Sequence, residues 1–287
     1  MTNAIELNHI SKSFGEFSLK DVTLAVPAGT ICGLVGENGA GKSTLIRILM
    51  GALRPDSGTA AALGVDVSAP EFLNAKEDIG VVLDEGCFPE TLTAPQVGRV
   101  MAATYRRWEQ DTFDAYCRRF ALPEKTAFKD YSRGMKMKLT IAVALSHQAR
   151  LLVLDEATAG LDPVVRDSIL EELLSFVSDE EHAVLLSSHI TGDLEKIADY
   201  ITYLHRGQVI LSGPKDEILE RYGQVGCSAA QLAALEPELL TRVRRGEFGC
   251  HALVADRAAF QRVHPELPVE PVTLDDIMLF VGKGEAV

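Results

Sequence analysis

Short apolar runs separated by turn residues occupy the first part of the chain. They are AIELNHI (residues 4–10), FSLKDVTLAV (17–26) and TICGLVG (30–36). Their length and their content of β-branched and aromatic residues predict strands, and the PAG segment before the third predicts a turn. A glycine-rich loop follows, and then STLIRILMGAL (43–53), whose apolar spacing predicts a helix that Pro55 closes.

The pattern becomes helical from about residue 88 to residue 148. Two sets of apolar residues recur there at helical spacing. The first set is Val97, Val100, Met101, Tyr105 and Trp108, and the second is Phe113, Tyr116, Cys117 and Phe120. We therefore predict a helical subdomain over about 88–148, in which each set shares one face. Before it, PDSG (55–58) predicts a turn that leads into a further strand pair.

Two continuous apolar runs have the length of strands that are buried on both faces. They are RLLVLD (150–155) and AVLLSSH (183–189), and DIGVVLD (78–84) is also strand-like. Between the first two, residues 162–178 predict a helix with Asp162 as its N-cap and Pro163 at its first position. Strand, helix and strand in this order predict a mostly parallel sheet with crossovers, and YITYLHRGQVILSG (200–213) predicts a closing hairpin.

The character of the chain changes after about residue 222. SAAQLAALEPELLTRV (228–243) predicts a helix, CHALV (250–254) predicts a strand, and Thr273 is a candidate cap for a last helix. We therefore predict a large α/β domain over 1–222 and a small α+β accessory domain over 223–287.

Composition and charge restrict the function further. The 287 residues are 47% hydrophobic with a mean hydropathy of +0.09, which predicts a well-filled globular core. The net charge of −13 disfavours a general phosphate-backbone binder, so no nucleic-acid partner is expected. The N-terminal residues do not resemble a signal peptide, and no apolar run reaches the ~18 residues that span a bilayer. Any work at a membrane is therefore expected to need a partner.

The five cysteines are odd in number, scattered along the chain and without a CxxC pair. They are Cys32, Cys87, Cys117, Cys227 and Cys250. This usage predicts reduced, mostly buried thiols of a cytosolic protein, and not a disulfide framework or a zinc site.

The segment GENGAGKS (residues 36–43) matches the phosphate-loop pattern G-x-x-x-x-G-K-[ST] between a predicted strand and a predicted helix. Glycines let backbone N–H groups approach phosphate oxygens, and the helix N-terminus favours negative charge. Lys42 supplies a positive charge to the terminal phosphates, and the Ser43 hydroxyl is a candidate Mg²⁺ ligand. The alternative is a glycine-rich turn, which the strand, loop and helix context disfavours.

The segment RLLVLDE supplies a second candidate site. Asp155 ends an apolar strand at the carboxyl edge of the predicted sheet, where a carboxylate can hold Mg²⁺. Glu156 is then a candidate to orient or deprotonate an attacking water. Acidic residues also follow strands as helix caps or in turns, so the assignment depends on the phosphate loop beside it.

Taken together, GENGAGKST, YSRGMKMKL, LLVLDEATAGLDP and SSH, in that order, resemble the ATP-binding-cassette (ABC) ATPases over about residues 3–222. The likeness is nearer to bacterial cassettes that are encoded apart from their membrane subunit, many of them export-type. It implies a P-loop NTPase core with an antiparallel β subdomain and the helical subdomain. It also implies ATP and Mg²⁺ as cofactors, with two cassettes meeting head to tail around ATP.

The resemblance implies a set of nucleotide contacts in the phosphate loop. These are Gly36, Glu37, Asn38, Gly39, Ala40, Gly41, Lys42, Ser43 and Thr44. Phe14 resembles the aromatic residue that stacks on adenine, and the alternative for it is a place in the core. Lys42, Glu156 and His189 are the implied catalytic residues, His189 contacting the γ-phosphate and helping to hold the water beside Glu156.

Three further residues are implied to act across the dimer. Ser132 and Gly134 would bind the γ-phosphate of ATP held by the opposite subunit, and Asp162 resembles the loop aspartate that crosses the interface. Ser132 and Asp162 are also candidate helix caps, and the two roles are compatible.

The sequence departs from the family pattern in two places. Tyr131, Arg133 and Met135 replace the first, third and fifth residues of the usual Leu-Ser-Gly-Gly-Gln signature, and Arg133 is a candidate to approach the phosphate or the facing subunit. Asp84 stands where the family commonly has a Gln, and it is a third candidate Mg²⁺ ligand beside Ser43 and Asp155.

These observations predict an ATP-hydrolysing subunit of a bacterial ABC transporter, with export favoured. Its expected partners are a transmembrane permease subunit and a second cassette, identical or not, and its expected place is the cytoplasmic face of the membrane. One alternative is a non-transport ABC ATPase that acts on ribosomes or DNA, which the single phosphate loop disfavours. The other is a regulatory cassette that binds ATP without turnover.

Overall fold

The computed structural model describes residues 2–83, 88–246 and 249–286. The chain divides into two compact units, Met1–Ser212 and Gly213–Val287. The division predicted at residue 222 falls within the second of these units.

The first sheet of unit 1 is antiparallel. Its strands are β1 (Asn3–Phe14), β2 (Phe17–Pro27), β4 (Ser57–Ala62) and β5 (Val65–Asp66), in the order β2-β1-β4-β5. Buried and exposed residues alternate from Val22 to Val26 of β2, as expected of a sheet with one face on the core. Irregular register between Leu7 and Lys12 bends β1.

The second sheet of unit 1 carries the candidate site. Its strands are β3 (Ile31–Val35), β6 (Ile79–Val82), β7 (Leu151–Asp155), β8 (Ala183–Ser188), β9 (Tyr200–His205) and β10 (Gln208–Pro214), in the order β10-β9-β3-β8-β7-β6. The pairs from β9 to β6 are parallel. Every residue of β3, β7 and β8 is buried, which explains the apolar runs ICGLV, LLVL and AVLL within them.

Seven helices are described in unit 1. They are α1 (Lys42–Leu49), α2 (Phe72–Ala75), α3 (Ala94–Thr104), α4 (Gln110–Arg119), α5 (Arg133–Leu145), α6 (Pro163–Phe176) and α7 (Thr191–Ile197). Helices α3, α4 and α5 lie in the region predicted to be helical. Ser132 caps α5 and Asp162 caps α6, each by accepting a backbone hydrogen bond, so both capping predictions are confirmed.

The predicted apolar face from Val97 to Trp108 is wrong. Helix α3 ends at Thr104, and Tyr105 has an extended backbone. Val97 is fully buried, whereas Val100 is 45% exposed. The residues beyond the helix end find other partners, since Tyr105 stacks on the His147 ring at 4.0 Å between centroids. Helical spacing across a helix end therefore does not define one face.

Unit 2 is a five-stranded antiparallel sheet with four helices described beside it. Its elements are α8 (Lys215–Arg221), β11 (Gly223–Cys227), α9 (Ala229–Leu232), β12 (Leu240–Gly246), β13 (Gly249–Val254), α10 (Arg257–Val263), β14 (Val269–Glu270), α11 (Leu274–Lys283) and β15 (Glu285–Ala286). The strand order is β14-β11-β13-β12-β15. Val225, Ala252 and Phe260 are fully buried at its core. Thr273 caps α11, as predicted.

The helix predicted over 228–243 is wrong. Helix α9 stops at Leu232, a short 3₁₀ turn covers Pro237–Leu239, and the remainder is strand β12. Pro237 has no N–H group and clashes with the preceding turn of an α-helix, so it cannot lie inside one. Val243 pairs instead with Ala252 across the sheet. The predicted fold class, an α/β core with parallel and antiparallel sheets and a small α+β part, is confirmed.

Candidate functional site

The loop over residues 36–41 joins β3 to α1, and its glycines are required by close contacts and by backbone conformation. A Cβ on Gly36 would lie 2.4 Å from the Leu204 carbonyl oxygen. Gly41, the N-cap of α1, has φ 112°, and a Cβ there would lie 2.6 Å from Leu19 Cδ2. Side chains at these positions would push the loop away from strands β9 and β2.

Lys42 is the first residue of α1 and is only 5% exposed. Its Nζ donates to the Gly36 carbonyl at 2.6 Å and to the Glu37 carbonyl at 3.3 Å. The same Nζ lies 2.9 Å from Glu156 Oε1. The ammonium group is therefore held inside the loop, next to the N-terminus of a helix, where anions are favoured.

Asp155 and Glu156 lie at the carboxyl end of β7, beside β8. Asp155 pairs in register with Ser187, whose hydroxyl donates to Asp155 Oδ1 at 2.5 Å. Both side chains are buried. Glu156 has a left-handed backbone with φ 52°, and its N–H donates to the Ser187 carbonyl at 3.1 Å. The turn to a positive φ directs the chain out of the strand at this residue.

The Glu156 carboxylate lies between two basic groups. Oε1 is 2.9 Å from Lys42 Nζ, and Oε2 is 2.7 Å from His189 Nδ1. His189 directly follows β8 and is 44% exposed, whereas Glu156 is 15% exposed. The structure therefore brings together the three residues predicted to be catalytic.

An open cleft of about 490 Å³ lies over the phosphate loop. It is lined by Phe17, Glu37, Asn38, Gly39, Gly41, Lys42, Ser43, Thr44, Asp155 and Glu156. Phe14 is not among these residues, but it pairs in register with Phe17 and is 45% exposed. The stacking role of Phe14 stays a prediction.

Beneath the loop, Tyr203 of β9 pairs in register with Val35, the last residue of β3. Its ring is buried, and burial together with the negative charge of Glu37 raises the pKa of Tyr203 to about 12. The tyrosine therefore stays neutral at physiological pH.

Ser132, Gly134 and Asp162 lie at the starts of α5 and α6, outside the cleft lining in the part of the chain that the structure describes. Ser132 Oγ accepts from Met135 N at 3.2 Å. A Cβ on Gly134 would lie 3.4 Å from Val165 Cγ1, so the first turns of the two helices are in contact. Two helix N-termini thus lie side by side, with their caps exposed.

The predicted Mg²⁺ ligands fall into two groups. Ser43 and Asp155 line the same cleft, and a hydroxyl and a carboxylate are the hard oxygen donors that Mg²⁺ prefers. Asp84 lies outside the described residues. Within the described ranges, no group of three or more His, Cys, Asp or Glu side chains forms a complete metal site. Two protein oxygens nonetheless fit Mg²⁺, since it usually retains waters and binds substrate phosphates.

Sequence reasoning missed two residues at this site. Ser187 holds Asp155, and Phe17 lines the cleft. The signal for Ser187 was its place near the end of AVLLSSH, because neighbouring parallel strands end at the same edge of a sheet. Phe17 has no such local signal, since its position depends on the β1–β2 register.

Comparison with known proteins places the chain among characterised cassettes. Residues 19–159 match the family described as ABC transporter. The Nod factor export ATP-binding protein I of Mesorhizobium japonicum is 31% identical, over 97% of this chain and 86% of its own length. The lantibiotic transport ATP-binding protein SrtF of Streptococcus pyogenes is 32% identical, over 74% of this chain and 91% of its own.

Solved structures agree on the fold. An ATP-binding subunit of an ABC transporter superposes with a TM-score of 0.69 and 28% identity, covering 76% of this chain and 92% of that one. The ADP- and phosphate-bound cassette MJ0796 superposes with a TM-score of 0.64 over 73% of this chain and 98% of its own, and at 22% identity it supports the fold alone.

The chain therefore belongs to the ABC transporter family, as one of its ATP-binding ATPase subunits. Among the helices that the structure describes, none has the length and apolar character needed to cross a membrane.

Proposed function

We propose that this chain hydrolyses ATP in the cleft over the phosphate loop and thereby drives a separate transmembrane permease subunit. The observation that supports this most directly is the Glu156 carboxylate, which bridges Lys42 and His189 at 2.9 and 2.7 Å. A carboxylate fixed at the edge of a phosphate-binding loop has the geometry of a general base for an attacking water.

Each of the three residues has a distinct role in this proposal. Lys42 binds the terminal phosphates, and it exchanges its contact with the Glu156 carboxylate for phosphate oxygens. Glu156 then orients the water and accepts its proton. His189 holds the second carboxylate oxygen of Glu156 and contacts the γ-phosphate. Positioning and charge stabilisation supply most of the catalysis in phosphoryl transfer, and a buried lysine and a tethered carboxylate provide both.

Mg²⁺ would be held by Ser43 and Asp155, where it would neutralise charge on the phosphates. The buried hydroxyl of Ser187 keeps the Asp155 carboxylate directed along the sheet edge. Asp84 remains a candidate third ligand.

Hydrolysis would take place in a head-to-tail dimer. Ser132 and Gly134 would bind the γ-phosphate of ATP on the facing subunit, and Asp162 would reach across the interface. Their exposed positions at two adjacent helix N-termini support this role, because such termini bind anions. The dimer is either homomeric or formed with a related cassette.

The membrane partner would contact the helical subdomain and the segment around Asp84, and this contact would keep the chain at the cytoplasmic face of the membrane. Export is favoured because curated relatives are named for Nod factor export and for lantibiotic transport. For the accessory domain, residues 223–287, we propose a contact with the second cassette.

The test is Glu156→Gln, with Glu181→Gln as a matched control. Glu181 is an exposed carboxylate that lies 3.4 Å from Arg150 in the same unit, away from the cleft. We expect Glu156→Gln to abolish hydrolysis while retaining an ATP-dependent dimer, and Glu181→Gln to behave as wild type. Wild-type protein that binds ATP without turnover, alone or with its membrane subunit, would indicate a regulatory cassette.

A pull-down distinguishes a transporter subunit from a non-transport ABC ATPase that acts on ribosomes or DNA. Tagged Glu156→Gln protein is mixed with detergent-solubilised native membranes, ATP and Mg²⁺. A stoichiometric polytopic membrane protein supports the transporter assignment. Recovery of ribosomes or nucleic acid in its place would refute it.

A further inference from the structure

Two cysteines of unit 2 lie directly opposite each other on neighbouring strands. Cys227 is the last residue of β11 and Cys250 is the second residue of β13, and they end an antiparallel register that runs without a shift from Gly223. Opposite residues of an antiparallel pair place their side chains on the same face of the sheet. Both cysteines belong to the buried core of unit 2, so their thiol groups lie side by side within it.

The backbone spacing of such a pair matches that of a disulfide. Opposite residues in antiparallel strands have Cα atoms about 4.5 or 5.5 Å apart, depending on whether the two residues share hydrogen bonds. A disulfide requires Cα atoms about 4.4–6.8 Å apart. Both thiols are free in the structure, and burial together with the neighbouring Cys250 thiol raises the pKa of Cys227, as expected of two close sulfurs.

A glycine precedes each of the two cysteines along the chain. A Cβ built on Gly226 would touch the His251 ring at 4.0 Å. Gly249 has φ 149°, and a Cβ there would lie 3.3 Å from the Cys227 carbonyl oxygen. Because neither position carries a side chain, the backbones of β11 and β13 can make the small adjustment that a bond between the sulfurs needs.

The other described cysteines have no thiol opposite them. Cys32 pairs in register with Leu185 and Tyr200 on its two sides, and Cys117 lies on helix α4 of unit 1. Within the described ranges, no third His, Cys, Asp or Glu side chain completes a metal site with the pair in unit 2. Two thiols without further ligands are better suited to a bond with each other than to a metal ion.

We propose that Cys227 and Cys250 form a redox-sensitive site, where a low-molecular-weight disulfide oxidises the two thiols to one cross-strand disulfide. The Cys227 thiolate attacks one sulfur of the small disulfide, a mixed disulfide forms, and one small thiol leaves. The Cys250 thiolate then attacks Cys227 Sγ and displaces the second small thiol. Two protein thiols are oxidised, one small disulfide is reduced, and the two protons pass to the leaving thiolates. An excess of the small thiol reverses both steps.

Burial makes this site slow to react. Cys227 is 9% exposed and Cys250 is 5% exposed, so Cys227 is the sulfur that a dissolved reagent meets first. The thiolate is the reacting form, and the raised pKa of Cys227 therefore slows the first step. The second step joins neighbouring groups of one chain and is fast by comparison. The site should respond to sustained oxidising conditions and not to brief ones.

The bond would restrict the segment between the two cysteines, which contains α9 and β12. A disulfide stabilises mainly by restricting the unfolded chain, and its usual effect corresponds to about 30–700-fold in the unfolding equilibrium. We therefore expect the backbone amides of β11 and β13 to exchange with deuterium at least about 30-fold more slowly after oxidation. This change in unit 2 does not require the chain to hydrolyse ATP.

The test is incubation of the folded chain with oxidised glutathione, followed by alkylation of the remaining thiols and peptide mass spectrometry. We expect one linked peptide pair, Cys227 with Cys250, and its return to two thiols with reduced glutathione. Hydrogen exchange of the same samples measures the protection of β11 and β13. If the folded wild type keeps both thiols while the same reagent oxidises the chain in urea, the two cysteines only fill the core and the proposal is wrong.

Cys250→Ala and Cys117→Ala are the matched variants. Cys250→Ala should stop at a glutathione adduct of Cys227, whereas Cys117→Ala removes a thiol of unit 1 and should form the bond as wild type does. A lasting adduct on Cys227 of the wild type, or a linked pair that involves another cysteine or two chains, would overturn the proposal. Because the linked pair is measured in the wild type, the test holds even if a variant fails to fold.

Discussion

Ser187→Ala should weaken both the use of Mg²⁺ by this ATPase and the stability of its fold. The Ser187 hydroxyl is fully buried and donates to Asp155 Oδ1 at 2.5 Å, and the Asp155 side chain is itself only 8% exposed. A hydrogen bond to a charged group contributes about 1.5–3 kcal/mol. For a domain of this size, a loss of about 2 kcal/mol lowers Tm by roughly 4–8 °C.

The free-energy cost to Mg²⁺ binding should be of similar size, because the freed carboxylate can rotate away from the sheet edge. Removing the partner that orients a metal ligand typically costs about 10–100-fold in metal affinity. The assay is ATPase rate against free Mg²⁺ at saturating ATP, with urea unfolding of the same samples. We expect the half-saturating Mg²⁺ concentration to rise by this factor.

Ser188→Ala is the matched control. Ser188 is equally buried, but its hydroxyl accepts from the Ile190 N–H at 3.0 Å and, among the described residues, makes no hydrogen bond to Asp155. We expect a stability loss of about 1 kcal/mol and an unchanged Mg²⁺ half-saturation. If Ser187→Ala leaves the Mg²⁺ half-saturation within twofold of wild type, the inference that the Ser187 hydroxyl orients Asp155 as a metal ligand is wrong.

Three further predictions concern buried and titrating groups. Arg119 pairs with Glu172 at 2.6 Å, and burial raises the pKa of Glu172. Arg119→Ala should therefore lower the free energy of unfolding by about 1–3 kcal/mol at pH 8, and by less at pH 5, where Glu172 can protonate. Equal losses in urea unfolding at both pH values would contradict this prediction. Tyr203→Phe should leave the free energy of unfolding unchanged or raise it by up to about 1 kcal/mol in thermal unfolding, because the buried hydroxyl has no hydrogen-bond partner among the described residues. A clear loss of stability would contradict this prediction and reveal a partner of the hydroxyl. The hydrogen bond to Glu236 raises the pKa of His264 above its ordinary 6.5. The stabilisation of the fold by protonated His264 is therefore full below pH 6.5 and is lost as pH rises through the folded-state pKa, and His264→Gln should flatten the pH profile of unfolding. An NMR titration midpoint of His264 at or below 6.5 would refute this prediction.

Local signals in the sequence were sufficient for much of unit 1. The phosphate loop, the Asp162 cap and the buried strands β7 and β8 each depend on a few adjacent residues, so their patterns predicted them. The same reasoning failed over 228–243, where alanine and leucine favour a helix. Pro237 and the pairing of β12 with β13 decided the structure there, and strand pairing is not local.

In the candidate site, too, local motifs predicted the residues but not the contacts between them. Glu156 and His189 are separated by 33 positions, yet the parallel register of β7 and β8 brings them to 2.7 Å. The sequence predicted both residues through their motifs, but not the ion pair of Glu156 with Lys42. The approach of Gly134 to Val165 was equally out of reach, because it depends on the packing of α5 beside α6.

The strand order also has a consequence for synthesis of the chain. Among the strands that the structure describes, β3, which carries the phosphate loop, lies between β8 and β9, and β9 ends at His205. About 170 residues must therefore leave the ribosome after β3 before both of its neighbours exist, which takes roughly 10–35 s at typical translation rates. For most of that time, until β8 has been made, the apolar ICGLV segment lacks both of its neighbouring strands. The nascent cassette is thus expected to depend on chaperones until β9 emerges, and slow codons placed before residue 205 should lower its soluble yield more than slow codons placed after it.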